Sequence, residues 1–350
     1  MSSISAVTGP ASTAVPDDRP EVEVFSTCPS SLVTPDNYVR RVTEVSRWSE
    51  EAGCKGILVY TDNSLVDPWL VSQIIIQNTN TLCPLVAVQP VYMHPYAVAK
   101  MVASLAFLNG RRVYLNMVAG GFKNDLLALN DTTPHDRRYD RLAEYTHIIK
   151  ELLAGRAPVT YEGDFYKVEK LTMTPPLPPD LFPGILISGS SPAGLAAAQA
   201  MGATAVKYPE PPEQCQLGPT DGTYGVRVGV IAREQEEKAW EIAYQRFPED
   251  RKGQITSQLA TKVSDSVWRR KLSELGGEKK GKRDTYWLGP FQNYKTNCPY
   301  LVGSHEQVAE ELGRYIAAGY KTYILDIPAS KEELEHIGVV FKLASQRIVS

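Results

Sequence analysis

The sequence predicts an α/β fold, a (β/α)8 TIM-type barrel with insertion segments. Three observations carry this. Eight short runs rich in Val, Ile and Leu recur along the 350 residues. Longer helical patterns separate them. Most of the runs are apolar at successive positions, as expected of parallel strands covered by helices on one side and closed on themselves on the other. A doubly wound open sheet is the alternative arrangement of the same elements.

The strands are expected at Glu21–Ser26, Gly56–Tyr60, Cys83–Val88 and Arg112–Asn116, then at Gly184–Ser188, Thr204–Lys207, Gly225–Ala232 and Lys321–Leu325. Helical patterns fill Asp36–Ala52, Asp67–Asn78, Tyr96–Leu108, Asp136–Ala154, Pro192–Met201, Gln235–Arg246 and His305–Ala318. Val159–Lys170 alternates polar and aromatic residues around Glu162-Gly163-Asp164, which predicts a small hairpin ahead of the fifth strand. Pro248–Pro299 is long and polar, helix-prone at first, then basic and glycine-rich at Gly276–Arg283. Such a segment after the seventh strand stands on the face where barrel active sites are built, and it predicts a lid. Met1–Pro20, rich in Ser, Ala, Thr and Pro and without an apolar signal core, reads as a disordered tail. It precedes a single domain over residues 21–350, with the lid insertion at about 248–300.

Charge and cysteine usage narrow the class. A net charge of -3 offers no broad electrostatic case for nucleic acid or an anionic membrane, and no apolar run approaches the ~20 residues that span a bilayer. Cys28, Cys54, Cys83, Cys215 and Cys298 lie far apart with no CxxC pair, which points to reduced thiols in the cytoplasm. The five histidines show no HxxxH or HxH spacing, so no metal site is expected. No GxGxxG follows the first strand and no GxSxG elbow occurs. Gly276-x4-Gly281-Lys282 spells most of a P-loop, but Arg283 stands where Ser or Thr would hold Mg²⁺.

Strand ends carry the informative residues. Ile185–Ser188 leads through Gly189-Ser190-Ser191 into the helix at Pro192. Small residues admit backbone N–H groups to an anion, and a helix start adds its positive dipole end. Ser and Pro also favour an ordinary capped helix start, and the pattern alone leaves both readings open. Asn116 ends the fourth strand ahead of Gly120-Gly121, Gln89-Pro90 ends the third with His94 soon after, and Tyr60-Thr61-Asp62 ends the second. Together these polar strand ends read as a site in a barrel mouth.

At this point the residues resemble a known family, the bacterial luciferase-like flavin monooxygenases, and are most similar to alkanesulfonate monooxygenases. The likeness rests on Val86–Pro90 through Leu105, Leu115–Gly121, Asp136–Tyr139, Ser188–Ser191, Glu210–Glu213, Tyr224–Arg227 with Arg233-Glu234, Leu301–Gly303 and Gly319–Leu325. The resemblance implies a barrel bearing insertions, reduced FMN supplied by a partner NAD(P)H-dependent flavin reductase, O2 as co-substrate activated as a flavin C4a-peroxide, and a homodimer or homotetramer. It implies that Tyr139, Gly189, Ser190 and Ser191 hold the FMN phosphate, and that Thr61, Gln89 and Asn116 lie beside the ring and ribityl chain. Arg227 would line the oxygenation pocket and Lys295 in the lid would stand near the family's lid arginine. A deazaflavin F420-dependent oxidoreductase and a flavin-binding relative without turnover are the competing classes.

The chain departs from the family at the substrate. The sulfonate pocket's cysteine, histidine and tyrosine align with Leu65, Gly229 and Ile327, and a tryptophan of the loop before Glu210 aligns with Tyr208. A sulfonate there would lack partners, at about 1–3 kcal/mol for each one lost. Gly229 is expected to enlarge the cavity. The expected substrate is a small organic metabolite other than a simple alkanesulfonate, bulkier or more apolar in body, and undergoing hydroxylation, N-oxidation or oxidative cleavage. Ser26, Cys28, Leu65, His94, Tyr208, Gly229 and Ile327 are the expected pocket residues. Arg227 is alternatively paired to Asp326 or Glu210, and Cys28 is alternatively a buried, inert thiol.

Overall fold

A computed structural model of the chain describes residues 22–33, 35–120, 122–189, 191–214, 223–263, 267–278 and 283–348. The expected tail, Gly121, Ser190, Cys215 and most of the basic tip at 279–282 lie outside the described residues.

Eight parallel strands close into a ring: Glu23–Thr27, Gly56–Val59, Cys83–Val88, Tyr114–Met117, Gly184–Ser188, Thr204–Lys207, Tyr224–Arg233 and Tyr320–Leu325. Register runs Ser26↔Ile57, Val59↔Val86, Ala87↔Asn116, Asn116↔Leu186, Val206↔Gly225 and Arg227↔Ile324, and the eighth strand returns to the first at Phe25↔Ile324. The closed ring is a (β/α)8 barrel and excludes the open sheet.

Side-chain alternation sorts the strands into two faces. Phe25, Leu58, Leu85, Tyr114, Leu186, Val206 and Ile324, from seven of the eight strands, share one cluster inside the ring. The seventh strand gives Gly225 at that level, where a Cβ would stand 2.7 Å from the Thr322 carbonyl oxygen. The opposite face, with Val86, Val88, Leu115, Met117 and Ile187, packs against Val98, Val102, Leu142 and Ile149 of the surrounding helices.

Local signals place the helices. Asp67 caps Pro68–Asn78 by accepting from the Trp69 and Leu70 N–H groups, and Ser304 with Gln307 forms a capping box on His305–Ala317. Gly155 ends His135–Ala154 in the left-handed region at φ 59°, where glycine carries no Cβ penalty. The expected hairpin is present as Val159–Glu162 against Lys167–Leu171.

Three elements extend the sequence expectation. The seventh strand runs past the barrel, and its upper half pairs with a further strand, Tyr300–Ser304, through Gly229↔Tyr300. Among its described residues, the segment expected to form a lid holds three helices, Arg251–Val263, Val267–Glu278 and the short Gly289–Gln292. A final helix, Lys331–Ile348, packs on the eighth strand's side of the ring, burying Ile337, Val340 and Ala344 beside Tyr323. Among the described residues no helix is long and apolar enough to cross a membrane.

Candidate active site at the mouth of the barrel

The strands' C-terminal ends converge on one mouth. Thr27, Tyr60, Asn116, Ser188, Tyr208 and Asp326 each lie two residues past an interior residue of their strand, so they continue the inward face. Gln89 and Asn116 are buried there. The Ser188 hydroxyl donates to the Asn116 side-chain oxygen at 2.9 Å, which fixes that amide with its NH2 turned to other partners. Thr27 is committed elsewhere: its hydroxyl donates to the Leu325 carbonyl at 2.6 Å.

Arg227 stands in the same mouth on the seventh strand. Its guanidinium donates to the Tyr208 phenol, lies in the field of Asp326, Tyr60 and Cys298, and keeps a sealed Nε without a hydrogen-bond partner. Burial works against its charge, but those neighbours raise its pKa further, so it is cationic at every working pH. Neither expected carboxylate forms an ion pair with it: Asp326 accepts from the Tyr300 hydroxyl at 2.7 Å, and Glu210 pairs with Lys271. Burial also pushes the Tyr60 phenol up.

Beside Asn116, the fifth strand turns through Gly189 into the ten-residue helix Pro192–Met201. Ser191 caps that helix, its oxygen accepting from the Gly194 N–H at 3.1 Å. The expected capped helix start is therefore real, and it leaves the Ser191 hydrogen free to donate. Tyr139 comes to the same point from helix His135–Ala154. A Cβ added at Gly189 would sit 2.9 Å from the Tyr139 hydroxyl, and one at Gly194 3.2 Å from its ring. Bare backbone, a phenol, a hydroxyl and a helix N-terminus thus meet at one point. This donor set suits a phosphate group, and the residues present would fit that of a phosphate-bearing cofactor. Ser190, the fourth expected partner, lies outside the described residues. Thr61 is half-buried at the end of the second strand.

Five expected site residues stand elsewhere. Ser26 is on the outward face, and its hydroxyl shares a 2.7 Å hydrogen bond with Ser49 of the first long helix. Cys28 is on that face too, packed with Val42, Val45, Ile57 and Val71; burial lifts its thiol to about 12 despite a hydrogen bond with Tyr38. It reaches only a narrow crevice shared with Tyr38, Tyr60, Leu65 and Val66. His94 is exposed and caps helix Pro95–Asn109, its Nδ1 accepting from the Tyr96 N–H. Gly229 opens no room, because the Tyr300 ring fills the place of a side chain: a Cβ there would lie 2.3 Å from it. Lys295 points to the surface, paired with Asp250 at 2.7 Å. Of the remaining pocket residues, Leu65 lines the crevice, and the half-buried Ile327 accepts from Arg246 through its carbonyl at 2.6 Å.

The helices after the seventh strand supply contacts that the sequence did not reveal. Trp268 lies ring on ring with Tyr208, centroids 3.8 Å apart and planes 19° from parallel. The ring aligned with the family's tryptophan before Glu210 is thus a tyrosine, covered by a tryptophan from helix Val267–Glu278. Arg269, the next residue, is 6% exposed and lies over the rings of Phe291 and Tyr294 at 5.4 and 5.1 Å. The Tyr286 hydroxyl donates to the Pro209 carbonyl, tying the segment again to the loop after the sixth strand. No periodic pattern in the sequence marks Trp268 or Arg269 as site residues.

A luciferase-like monooxygenase family model matches residues 22–322. The chain belongs to the luciferase-like monooxygenase family. It is 34% identical over 310 residues, 87% of this chain and 91% of the relative, to the monooxygenase BtrO of Niallia circulans, which acts on 4-(gamma-L-glutamylamino)butanoyl carried on the BtrI acyl-carrier protein. Among solved structures it is similar to the EDTA monooxygenase of Chelativorans sp. BNC1, with TM-score 0.69 and 15% identity, covering 94% of this chain and 95% of that one. It is also similar to the coenzyme F420-dependent tetrahydromethanopterin reductase of Methanopyrus kandleri, with TM-score 0.63 and 13% identity, covering 91% and 97%. At those identities the two structures show the shared fold.

Proposed function

We propose that this luciferase-like monooxygenase uses reduced FMN and O2 to place one oxygen atom on an acyl-type metabolite, the other oxygen leaving as water. The observation that supports the cofactor reading is the meeting of Tyr139, Gly189 and the Ser191-capped helix start, a set of donors and small residues that suits a phosphate. Bound reduced FMN supplies the electrons and the centre at which O2 is activated. A partner NAD(P)H-dependent reductase delivers it in the cytoplasm, and the enzyme works as a homodimer or homotetramer.

Each residue has a part in this reading. Gly189, Ser191 and Tyr139 hold the phosphate. Asn116, Gln89 and Thr61 orient the ring and ribityl chain. Arg227 presents a fixed positive charge inside the mouth, where negative charge developing on oxygen gains most in a water-poor site. The helices of 248–300 act as the lid: Trp268 closes over Tyr208 and keeps water from the reacting centre.

The substrate reading rests on two supports. The polar groups of a sulfonate pocket are missing at Leu65, Gly229 and Ile327. BtrO, at 34% identity over most of both chains, acts on an acyl group held by a carrier protein. The test is incubation with chemically reduced FMN, isotopically heavy O2 and acyl groups on an acyl-carrier protein, with reduced F420, cofactor-free, free-acid and alkanesulfonate arms. The expected result is one heavy oxygen in the acyl product and negligible sulfite release. Turnover with F420 in the absence of O2, or unlabelled product, contradicts the proposal.

A further inference from the structure

We infer that Arg269, on the lid helix Val267–Glu278, is a substrate-binding residue that grips a carboxylate of the substrate with one edge of its guanidinium. This deepens the substrate reading above and rests on it.

The lid arginine is deeply buried, yet its Nε and Nη2 are both sealed from solvent and without hydrogen-bond partners. Arg141 and Arg227 each leave one sealed nitrogen, Nε, without a partner, whereas Arg269 leaves two. Arg246 meets Glu333 and the Ile327 carbonyl, Arg141 meets Asp131, and Arg138 donates to the Gly120 carbonyl. Arg269 has aromatic rings instead of an anion, Phe291 and Tyr294. Those rings take the planar cation and leave its edge. Nε–H and Nη2–H run parallel along one edge of a guanidinium, and that fork matches the two oxygens of a carboxylate. An unpaired buried charge is costly to keep, so the pattern calls for an anion that arrives from outside.

Its position ties it to the mouth. Arg269 is within electrostatic range of Tyr208, and its neighbour Trp268 stacks on that ring. Arg227 donates to the same tyrosine from the barrel side. Two guanidiniums thus flank Tyr208, one on the lid and one on the barrel wall. Asp326, whose charge acts on Arg227, already accepts from Tyr300. A carboxylate entering between barrel and lid would supply the missing charge and draw the lid helix onto the substrate.

The test is calorimetric titration of the full chain with glutarate, and separately with inorganic phosphate, carried out anaerobically with and without reduced FMN. Wild type, Arg269→Lys and Arg269→Met are compared, with thermal melts confirming that each is folded. Glutarate is expected to bind wild type more tightly than phosphate does. Arg269→Met should lose about tenfold or more in glutarate affinity, and Arg269→Lys, which keeps charge without the fork, should fall between. Reduced-FMN affinity should be the same in all three. Failure of glutarate to bind wild type, equal binding by Arg269→Met, or tighter binding of phosphate overturns the assignment. If reduced FMN does not bind while the Arg269-dependent glutarate signal persists, the flavin reading falls and this one stands.

Discussion

Tyr208, at the end of the sixth strand, and Trp268, the second residue of a lid helix, stack at 3.8 Å with their planes 19° apart. Sixty residues of sequence separate them, and the contact joins the barrel wall to helix Val267–Glu278 at the tyrosine that Arg227 also reaches. Such a pair contributes about 0.5–1.5 kcal/mol beyond the area it buries, enough to bias a lid without locking it.

Trp268→Ala is therefore expected to loosen the lid more than the barrel. Amide exchange in residues 251–278 should speed up while the barrel strands keep their protection. In turnover, the loosened lid should waste reduced flavin as hydrogen peroxide. Unchanged exchange in that helix would show that the stack does not hold the lid.

Gly229 has a packing role. A Cβ at this position meets the Tyr300 ring at 2.3 Å, and Tyr300 in turn donates to Asp326. Gly229→Ala should cost about 1–3 kcal/mol of stability by urea unfolding, as overpacking does. Neutral or improved stability would mean that room exists there after all.

Asp131 supplies a pH signature. Burial raises its pKa, but hydrogen bonds from Arg141 and Thr133 and the Arg141 charge outweigh that and hold it down to about 2. A depressed carboxylate stabilises the fold above its unfolded pKa near 3.9 and loses that stabilisation as pH falls towards 2. Asp131→Asn should lower stability by about 2–3 kcal/mol at pH 7, and the gap should narrow between pH 4 and 2. A gap independent of pH would place the effect in packing.

The barrel was legible because each strand is a short apolar run and each helix carries its own cap or stop, as with Asp67 and Gly155. The polar strand ends marked the mouth at Asn116 and Gln89, and the family resemblance added Arg227. Ser26 was expected in the pocket, but it stands one residue out of step with Phe25 and Thr27 and turns its hydroxyl outward to Ser49. Contacts made by the insertion were not legible, since Trp268 on Tyr208 and Tyr300 in the space at Gly229 depend on how a long segment folds back. Lys295 was placed by alignment alone, and Asp250 takes it to the surface. The C-terminal helix did have a signal, with Ile337, Val340 and Ala344 at helical spacing, and the eighth strand of a barrel calls for a closing helix.

Gly189 and the Ser191-capped helix start, with Tyr139, are proposed to bind the phosphate of reduced FMN. Anaerobic titration of the protein with reduced FMN and with reduced riboflavin, which lacks only the phosphate, tests it directly. Charge-assisted hydrogen bonds of about 1.5–3 kcal/mol each predict that reduced FMN binds at least about tenfold more tightly, and that Tyr139→Phe with Ser191→Ala removes most of that preference. Equal affinity for the two flavins in the unmodified protein would contradict the account.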